Sequence, residues 1–299
     1  MLFITHRACL EHDMGPHAAE RPDRLRAIWA ALEAEEFAGI VREEAPRATP
    51  EQLARAHPAD YVRAILDIRP GPSEIMQLDP DTSMSAGSAE AALRAAGAGI
   101  RAVDAVMAGE TRRAFCAVRP PGHHAESSRP MGFCLFSSVV VAARHAQTLG
   151  AARVAILDFD VHHGNGTQAC VQDDASILFA SSHQMPLYPG TGAAHETGVG
   201  NIINAPLPPG AGSAVFRAAW AAILPRVAAF DPALVIVSAG FDAHRRDPLA
   251  NMELEAADFA WITREILALG RPVVSMLEGG YDLQALAESA AAHVRELLA

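Results

Sequence analysis

The sequence predicts an α/β fold of the doubly wound type, in which helices cover both faces of a mainly parallel sheet. Two observations support this prediction. Short apolar runs alternate with longer alanine-rich segments of helical period, which is typical of parallel strands joined by crossover helices. No internal repeat or low-complexity linker interrupts this alternation, so residues 1–299 are expected to form a single domain.

The individual elements follow from the same patterns. The strand signal is clearest in short runs rich in Val, Ile and Leu, namely Arg153–Asp158, Ser176–Ala180, Leu234–Ser238 and Pro272–Leu277, with a weaker run at Ala114–Val118. The longer segments predict helices at Pro22–Phe37, Ser85–Met107, Ser137–Leu149, Ser213–Phe230, Glu255–Leu269 and Leu283–Leu298. Ligands of such sheets bind outside the carboxyl ends of the strands, so polar residues that follow these strands are candidate site residues.

The composition excludes several classes of function. Half of the 299 residues are hydrophobic and one fifth are charged, which is enough for a large buried core. Lys+Arg 24 against Asp+Glu 35 gives a net charge of −11, which argues against direct binding to nucleic acid. Every basic residue is Arg, and the absence of Lys excludes a Schiff-base lysine and a Walker-type phosphate loop.

The cysteines and the N-terminus bear on the cellular compartment. Cys9, Cys116, Cys134 and Cys170 lie far apart, so we expect buried thiols in a reducing compartment and neither a zinc knuckle nor a disulfide framework. The apolar run Met1–His6 lacks the basic region of a secretory signal, and no other apolar stretch was expected to be long enough to span a bilayer. The sequence thus predicts a soluble cytoplasmic protein with no membrane partner.

A candidate metal site follows two of the predicted strands. Asp158, Asp160 and His162 are spaced two apart, so their side chains share one face of an extended chain. Asp242 follows the next very apolar strand, and Asp160, His162 and Asp242 with one open position match a catalytic zinc site. The mixed oxygen and nitrogen ligands also admit iron, cobalt or manganese. Each residue alone could be an ordinary strand-end side chain, but two carboxylates at one sheet edge need a counter-ion.

Candidate catalytic residues follow two other strands. His123 and His124 emerge from a rigid Pro-Pro-Gly turn, and neighbouring imidazoles with different partners can differ in pKa, so that one accepts a proton and the other donates one. Tyr281 follows two glycines, which allow a close approach to a ligand, and a phenol can donate to a carbonyl oxygen as charge develops there. The competing interpretations are an incidental histidine pair and a core tyrosine.

Together these segments resemble the superfamily of histone deacetylases, acetoin-utilisation proteins and acetylpolyamine amidohydrolases, over nearly the whole chain. The resemblance lies in six ordered motifs, which are Arg119-Pro-Pro-Gly-His-His124, Met131-Gly-Phe-Cys-Leu-Phe136, Asp158-Phe-Asp-Val-His-His-Gly-Asn-Gly-Thr-Gln168, Tyr188-Pro-Gly-Thr-Gly192, Ser238-Ala-Gly-Phe-Asp-Ala-His244 and Leu277-Glu-Gly-Gly-Tyr281. The Asn165 form and the stretch Phe241-Asp-Ala-His-Arg245 are similar to the class II, bacterial histone-deacetylase-like branch.

The resemblance implies an arginase/deacetylase-like fold and one zinc ion (Zn2+) per chain on the three ligands named above. It implies that His123 and His124 serve as base and acid, oriented by Asp158 and Asn165, residues of the kind that tune imidazole basicity. Tyr281 would polarise the amide carbonyl together with the metal. The implied reaction is hydrolysis of an acetyl-lysine-like amide to acetate and a free amine, by a metal-dependent amidohydrolase acting on linear C–N bonds.

A structural potassium ion (K+) is also implied near the zinc. Its ligands would be the side chains of Asp158 and Ser181, with the backbone carbonyls of Asp160, His162 and Ser182.

A substrate tunnel is implied as well, and the residues assigned to it are Gly132, Phe133, Tyr188, Leu249 and Gly280, with Asp81 at the rim. Tyr188 replaces a more usual Phe, and the entrance loop at Gly15–Pro22 departs from the common pattern. Polyamine-specific members tend to have an acidic gatekeeper where Leu249 falls, so Leu249 favours acyl-lysine proteins or peptides as substrates. Acetylpolyamines or other small acylated amines are the alternative.

Two rival functions remain open at this point. A ureohydrolase would share the fold but use two manganese ions and further Asp/His ligands, and it would leave Tyr281 without a role. A non-catalytic acyl-ligand sensor on the same scaffold is the second rival, although all the proposed catalytic residues are present. The physiological substrate and a possible homo-oligomer are left open.

Overall fold

An eight-stranded sheet forms the centre of the computed structural model, which describes residues 1–299. All neighbouring strands of this sheet are parallel, in the order β2-β1-β5-β10-β9-β6-β7-β8. The strands are β1 (Leu2–Thr5), β2 (Val41–Glu44), β5 (Arg113–Cys116), β6 (Val154–Asp158), β7 (Ile177–Gln184), β8 (Ile202–Leu207), β9 (Leu234–Ala239) and β10 (Val273–Leu277). A separate antiparallel hairpin consists of β3 (Met76–Asp79) and β4 (Thr82–Met84).

Nine helices connect the strands and form two groups. The helices are α1 (Asp23–Ala31), α2 (Pro50–Leu53), α3 (Ala59–Asp67), α4 (Ser88–Met107), α5 (Ser138–Thr148), α6 (Asn165–Val171), α7 (Ser213–Phe230), α8 (Ala256–Ala268) and α9 (Leu283–Leu298). Helices α2, α4, α5 and α6 pack among themselves, and α1, α7, α8 and α9 do the same, while both groups contact the sheet. The sheet therefore lies between two helical layers, and the predicted α/β class is confirmed.

The central strands match the sequence prediction because they are buried on both faces. Every residue of β6, β9 and β10 is buried, which is the continuous apolar pattern expected of a parallel sheet covered by helices. Strands β1, β2 and β8 were not predicted. Strand β2 is at the sheet edge with its side chains largely exposed, so it lacks the apolar run that identifies the others.

Three predicted boundaries were wrong in an informative way. Strand β7 continues beyond Ala180 to Gln184, because β8 pairs with its polar but buried second half. The predicted helix Pro22–Phe37 is broken: α1 ends at Ala31, and an extended backbone at Ala34 precedes a separate turn at Glu35–Phe37. Helix α4 begins at Ser88 instead of Ser85, where the Ser88 hydroxyl accepts the Ser85 amide at 2.8 Å.

Helix α7 is long and apolar enough to cross a membrane by length and composition, contrary to the expectation that no such stretch exists. In the fold, its buried residues lie on one face, and they are Phe216, Trp220, Ile223, Leu224 and Val227. This spacing is that of a helix packed against a sheet.

The cysteines are all free, as expected. Three of them are buried, but Cys170 is only half-buried, because it lies next to Ala169 on the one exposed part of the otherwise buried helix α6.

Candidate active site

Four neighbouring strands end at the same edge of the sheet and position the predicted site residues. In the order β5-β10-β9-β6, they are followed by His123, Tyr281, Asp242 and Asp160. These residues are far apart in the sequence, yet the parallel order places them side by side. The polar residues that follow these four strands thus lie close together at one edge of the sheet.

The three predicted metal ligands form a buried cluster. One ligand atom from each of Asp160, His162 and Asp242 lies within 4.8 Å of the other two. His162 Nδ1 is 3.1 Å from Asp160 Oδ1 and 3.2 Å from Asp242 Oδ2. Both carboxylates are 0% exposed, so their charge is taken from water and requires a compensating cation.

Backbone amides hold the two carboxylates in place. Asp160 accepts the amides of His162 at 2.9 Å and Gly279 at 2.8 Å, while Asp242 accepts the amide of Val161 at 2.9 Å. A Cβ atom at Gly279 would collide with the carboxylates of both Asp160 and Asp242. The glycine is thus required by the close approach of the β10 loop to the cluster.

The ionisation of the cluster reflects its mixture of charges. Burial lowers the pKa of His162, but its hydrogen bonds to Asp160 and Asp242 outweigh burial and raise it to about 10. The two carboxylates thus favour positive charge at this position. A metal ligand must be a neutral imidazole, so metal binding at this cluster competes with protonation of His162.

His123 and His124 lie above the cluster and have different partners. His123 Nδ1 is 3.0 Å from Asp158 Oδ2, and His124 Nδ1 is 2.8 Å from Asn165 Oδ1. Asn165 Nδ2 donates to Glu126 at 3.1 Å, which fixes Asn165 Oδ1 as the acceptor of the His124 Nδ1 hydrogen. The two rings are 4.0 Å apart.

These partners move the two pKa values in opposite directions. Burial lowers the pKa of His123, but the carboxylates of Asp160, Asp158 and Glu278 outweigh it and raise the pKa well above its usual value. Burial, together with the neighbouring cationic His123, holds the pKa of His124 well below its usual value. The pair thus combines one imidazole that attracts a proton with one that releases it readily.

Tyr281 lies on a turn that connects β10 to α9. Gly280 has φ +122°, in the region that favours glycine, and Arg24 Nε donates to its carbonyl at 2.6 Å. The Arg24 guanidinium also lies 4.9 Å from the centre of the Tyr281 ring. Burial raises the pKa of Tyr281 well above its usual value, so its hydroxyl remains a hydrogen-bond donor.

Residues 18–297 match the family described as histone deacetylase domain. The chain belongs to the histone deacetylase family. It is 38% identical to the histone deacetylase-like amidohydrolase of Pseudomonas aeruginosa, over 94% of this chain and 81% of that protein. It is 37% identical to a probable deacetylase of Archaeoglobus fulgidus, over 94% and 81% of the two chains.

A solved structure agrees with this family assignment. The crystal structure of the HDA15 HD domain superposes with a TM-score of 0.93 at 36% identity, covering 99% of this chain and 88% of that chain. The predicted resemblance to the family and the arginase/deacetylase-like fold are both confirmed. Among histone deacetylase relatives, the chain is also 38% identical to the chloroplastic histone deacetylase 14 of Arabidopsis thaliana, over 99% of its length and 76% of that protein.

The predicted tunnel residues of this histone deacetylase domain surround one narrow cavity of ≈ 210 Å³. It is lined by Asp81, His124, Gly132, Phe133, His162, Leu187, Tyr188, Leu249 and Tyr281. Gly280, which was also assigned to the tunnel, is not among the residues that line this cavity, and its carbonyl accepts a hydrogen bond from Arg24. Leu187 was missed, and its only signal was an apolar residue directly before Tyr188.

Hydrogen bonds between the β3–β4 hairpin and the loop that carries Phe133 hold Asp81 and Phe133 at the cavity. Phe133 has φ +69°, a conformation uncommon for residues other than glycine, and strain of this kind occurs mostly at functional sites. Asp81 Oδ1 accepts the Gly132 amide at 2.9 Å, and the Thr82 hydroxyl accepts the Phe133 amide at 2.9 Å. The same two hydrogen bonds therefore fix both the Asp81 carboxylate at the rim and the Phe133 ring in the cavity wall.

The residues assigned to a monovalent cation lie on adjacent strands. Asp158 of β6 pairs in register with Ser181 of β7, and both are 0% exposed. The Ser181 hydroxyl is 2.9 Å from His183 Nδ1, and the Ser182 hydroxyl accepts Trp220 Nε1 at 2.9 Å. Ser181 and Ser182 lie inside β7 and not after it, because the strand is longer than predicted.

Glu278 also belongs to the site, although the sequence analysis assigned it no role. It is 1% exposed, and its Oε2 accepts the amides of Gly122 at 2.7 Å and His123 at 3.1 Å. The carboxylate thus ties the β10 loop to the turn that carries the histidine pair. It belongs to a motif recognised in the sequence, but its contact with a turn over 150 residues away has no local signal.

Proposed function

We propose that the protein is a zinc-dependent deacetylase that hydrolyses acetyl-lysine-like amides to acetate and a free amine. The observation that carries this proposal is the convergence of His124, His162 and Tyr281 on one narrow cavity. A proton donor, a candidate metal ligand and a phenol hydroxyl thus meet where an acyl group inserted through the tunnel would lie. Membership of the histone deacetylase family supports the same reaction class.

Asp160, His162 and Asp242 fit a single zinc ion per chain. Two carboxylates and one imidazole form an oxygen and nitrogen donor set that suits zinc, and three protein ligands leave a position open for reactants. The two buried carboxylates also need the positive charge that a divalent ion provides. A zinc ion held there would supply Lewis acidity toward the amide carbonyl and the attacking water.

The histidine pair moves the protons of the reaction. His123, with Nδ1 facing Asp158, has its Nε2 on the metal side, 3.9 Å from Asp160 Oδ2. A divalent cation on Asp160 would offset the carboxylate charge that raises the pKa of His123, and this would free Nε2 to accept a proton from water. His124, with its Nδ1 hydrogen on Asn165, presents Nε2 to the cavity. It must take up a proton at Nε2 before it can deliver one to the leaving amine, and its low pKa favours that delivery. Proton transfer by such positioned groups contributes on the order of 10²–10⁴ in rate.

Tyr281 stabilises the negative charge that develops on the carbonyl oxygen. Its hydroxyl keeps its proton because burial raises its pKa. A preorganised donor of this kind in a site shielded from water stabilises the transition state more than the ground state. The phenol would therefore contribute mainly to kcat.

The cavity wall favours an aliphatic stem ending in an acyl group. Phe133, Leu187, Tyr188 and Leu249 provide apolar contacts along the tunnel, and Asp81 provides an acceptor at its mouth. Leu249 leaves the wall uncharged where a cationic polyamine would need a carboxylate partner. We therefore propose acyl-lysine peptides or proteins as substrates, with acetylpolyamines or other small amides as the alternative.

Two further parts of the proposal concern ions and location. The register pair of Asp158 and Ser181 is where we propose a structural potassium ion. All four cysteines are free, which is the usual state in a reducing compartment, and we propose a cytoplasmic location with no direct nucleic-acid partner.

A peptide assay tests the proposal. Zinc-loaded protein should release acetate from an acetyl-lysine peptide, and Tyr281→Phe should lower kcat by on the order of a hundredfold with unchanged zinc content, as for loss of an oxyanion donor. Absence of turnover on acetyl-lysine peptides and acetylpolyamines alike would overturn the proposal. An unchanged kcat in Tyr281→Phe would instead remove Tyr281 from the mechanism.

A further inference from the structure

Asp247 connects the catalytic turn to the tunnel wall. It lies in the loop between β9 and α8 and is 6% exposed. One carboxylate oxygen, Oδ2, accepts the Tyr281 backbone amide at 2.7 Å, and the other, Oδ1, accepts the Leu249 backbone amide at 3.0 Å. A single side chain therefore holds the backbone of the phenol donor and of the apolar wall residue.

Asp247 is buried without a cationic partner. None of the ion pairs of the protein includes Asp247, and the neighbouring Arg246 pairs with Asp282 and Glu288 instead. Burial raises the pKa of Asp247 to about 7, which reflects the cost of taking a carboxylate out of water without a cation. The backbone amides of Leu249 and Tyr281 offset part of this cost by donating hydrogen bonds to the Asp247 carboxylate. These hydrogen bonds also fix the positions of the Leu249 loop and the Tyr281 turn.

The turn that carries Tyr281 needs such an anchor. Two consecutive glycines precede Tyr281, and glycine has the largest conformational freedom of any residue. Gly279 is fixed through its amide by Asp160, and Gly280 is fixed through its carbonyl by Arg24. Asp247 fixes the next amide in the chain, that of Tyr281 itself.

We propose that Asp247 is a positioning residue that sets the place of the Tyr281 phenol and keeps Leu249 at a fixed distance from it. This inference rests on the proposed function, since it concerns the same site. A displacement of about 1 Å in a catalytic group can cost on the order of a hundredfold in rate. Asp247 thus acts on the reaction through Tyr281 and does not contact the substrate.

The test is a double-mutant cycle between Asp247→Asn and Tyr281→Phe. The asparagine amide has only one acceptor oxygen, so one of the two backbone amides loses its partner and faces another N–H. We expect Asp247→Asn to lower kcat by about tenfold, with KM changed by less than about threefold and with zinc content unchanged. In the Tyr281→Phe background the same substitution should cost less than about twofold, because the group that it positions is gone.

A second readout does not depend on turnover. A hydroxamate chelates the metal and presents an oxygen to Tyr281, so its Kd for the zinc-loaded protein can be measured by calorimetry in the same four variants. Asp247→Asn should weaken binding in the presence of Tyr281 and leave it nearly unchanged in Tyr281→Phe. If the wild type turns over no acyl substrate, the proposed function fails, but the binding cycle still tests Asp247.

A matched control and a second variant complete the experiment. Asp258→Asn changes another buried carboxylate, which caps α8 and pairs with Arg217, and it should leave kcat per folded molecule unchanged. If Asp247→Asn does not fold, Asp247→Glu keeps the charge but shifts it by one methylene, and the same cycle applies. Equal losses in both Tyr281 backgrounds, or loss of zinc in the Asp247 variant, would overturn the inference.

Discussion

The two adjacent histidines of this site differ in proton affinity because their hydrogen-bond partners differ. His123 and His124 follow each other in the chain, yet a carboxylate orients the first and an amide orients the second. A carboxylate partner raises the proton affinity of an imidazole, whereas an amide partner only fixes its tautomer. The same motif thus provides a base and an acid.

The sequence identified most of the residues that line the site, and it failed where a role depends on distant contacts. Polar residues after apolar strands were visible as a pattern, which is why Asp160 and Asp242 could be predicted. Glu278 and Asp247 could not be given roles, since the contacts that join them to the site are with backbone amides on other loops, those of Gly122 and Tyr281. A backbone amide is the same for every residue type, so no side-chain pattern indicates it.

Leu249 offers a test of substrate choice. Leu249→Glu places a carboxylate in the tunnel wall, so the ratio of kcat/KM for an acetylpolyamine over an acetyl-lysine peptide should rise about fivefold, as expected from an ion pair of ~1 kcal/mol. The matched control is Leu249→Gln, which has the same size without the charge. An equal change of the ratio in both variants would show that charge at this position does not select the substrate.

Among the elements, the buried parallel strands were predicted best. Strands β6, β9 and β10 are buried throughout and mainly apolar, because helices cover both of their faces. The second half of β7 is equally buried but polar, with Ser181 and His183 bonded to each other, so an apolar search stops too early. Edge strands and helix ends depend on neighbours that the local sequence does not reveal.

His293 of helix α9 provides a test of how the free energy of unfolding depends on pH. His293 is 1% exposed and bridges Thr263 of α8 at 2.6 Å and Ser275 of β10 at 2.8 Å. The Thr263 hydroxyl donates to the Phe259 carbonyl, so His293 Nδ1 carries the hydrogen and Nε2 accepts from Ser275. Burial lowers the pKa of His293 to about 3, so the imidazole is neutral in the folded protein.

The sign of the effect follows from linkage. Above about pH 6.5 the imidazole is neutral in both states, and below it only the unfolded chain takes up the proton, so the free energy of unfolding falls as the pH drops toward about 3. Each such group contributes a slope of about 1.4 kcal/mol per pH unit. Urea unfolding at pH 7, 6 and 5 should show a shallower fall for His293→Gln than for wild type, and parallel curves would contradict this assignment.

At the scale of the whole molecule, the sheet brings buried negative charge to one edge. Asp158, Asp160, Asp242 and Glu278 are each no more than 1% exposed, and they all follow or end strands in the middle of the sheet. Burying four carboxylates close together lowers the stability of the folded state unless positive charge offsets them. A bound divalent cation would therefore stabilise the folded state by mass action. The fold and the metal site are therefore expected to depend on each other.

The rival function on this scaffold predicts a different metal content. A ureohydrolase would need a second set of Asp and His ligands, but the only cluster of three or more such groups with metal-ligand geometry is Asp160, His162 and Asp242. The proposed function therefore predicts one metal ion per chain. The proposed amide hydrolysis gives the tunnel and the Tyr281 phenol a role, and the ureohydrolase reaction leaves Tyr281 without one.

The most direct test combines metal analysis with turnover of an acetyl-lysine peptide. The account predicts one zinc ion per chain, loss of turnover after chelation, recovery on addition of one equivalent of zinc, and neither zinc nor turnover in Asp242→Ala. Two metal ions per chain, or undiminished turnover by the metal-free protein, would contradict it.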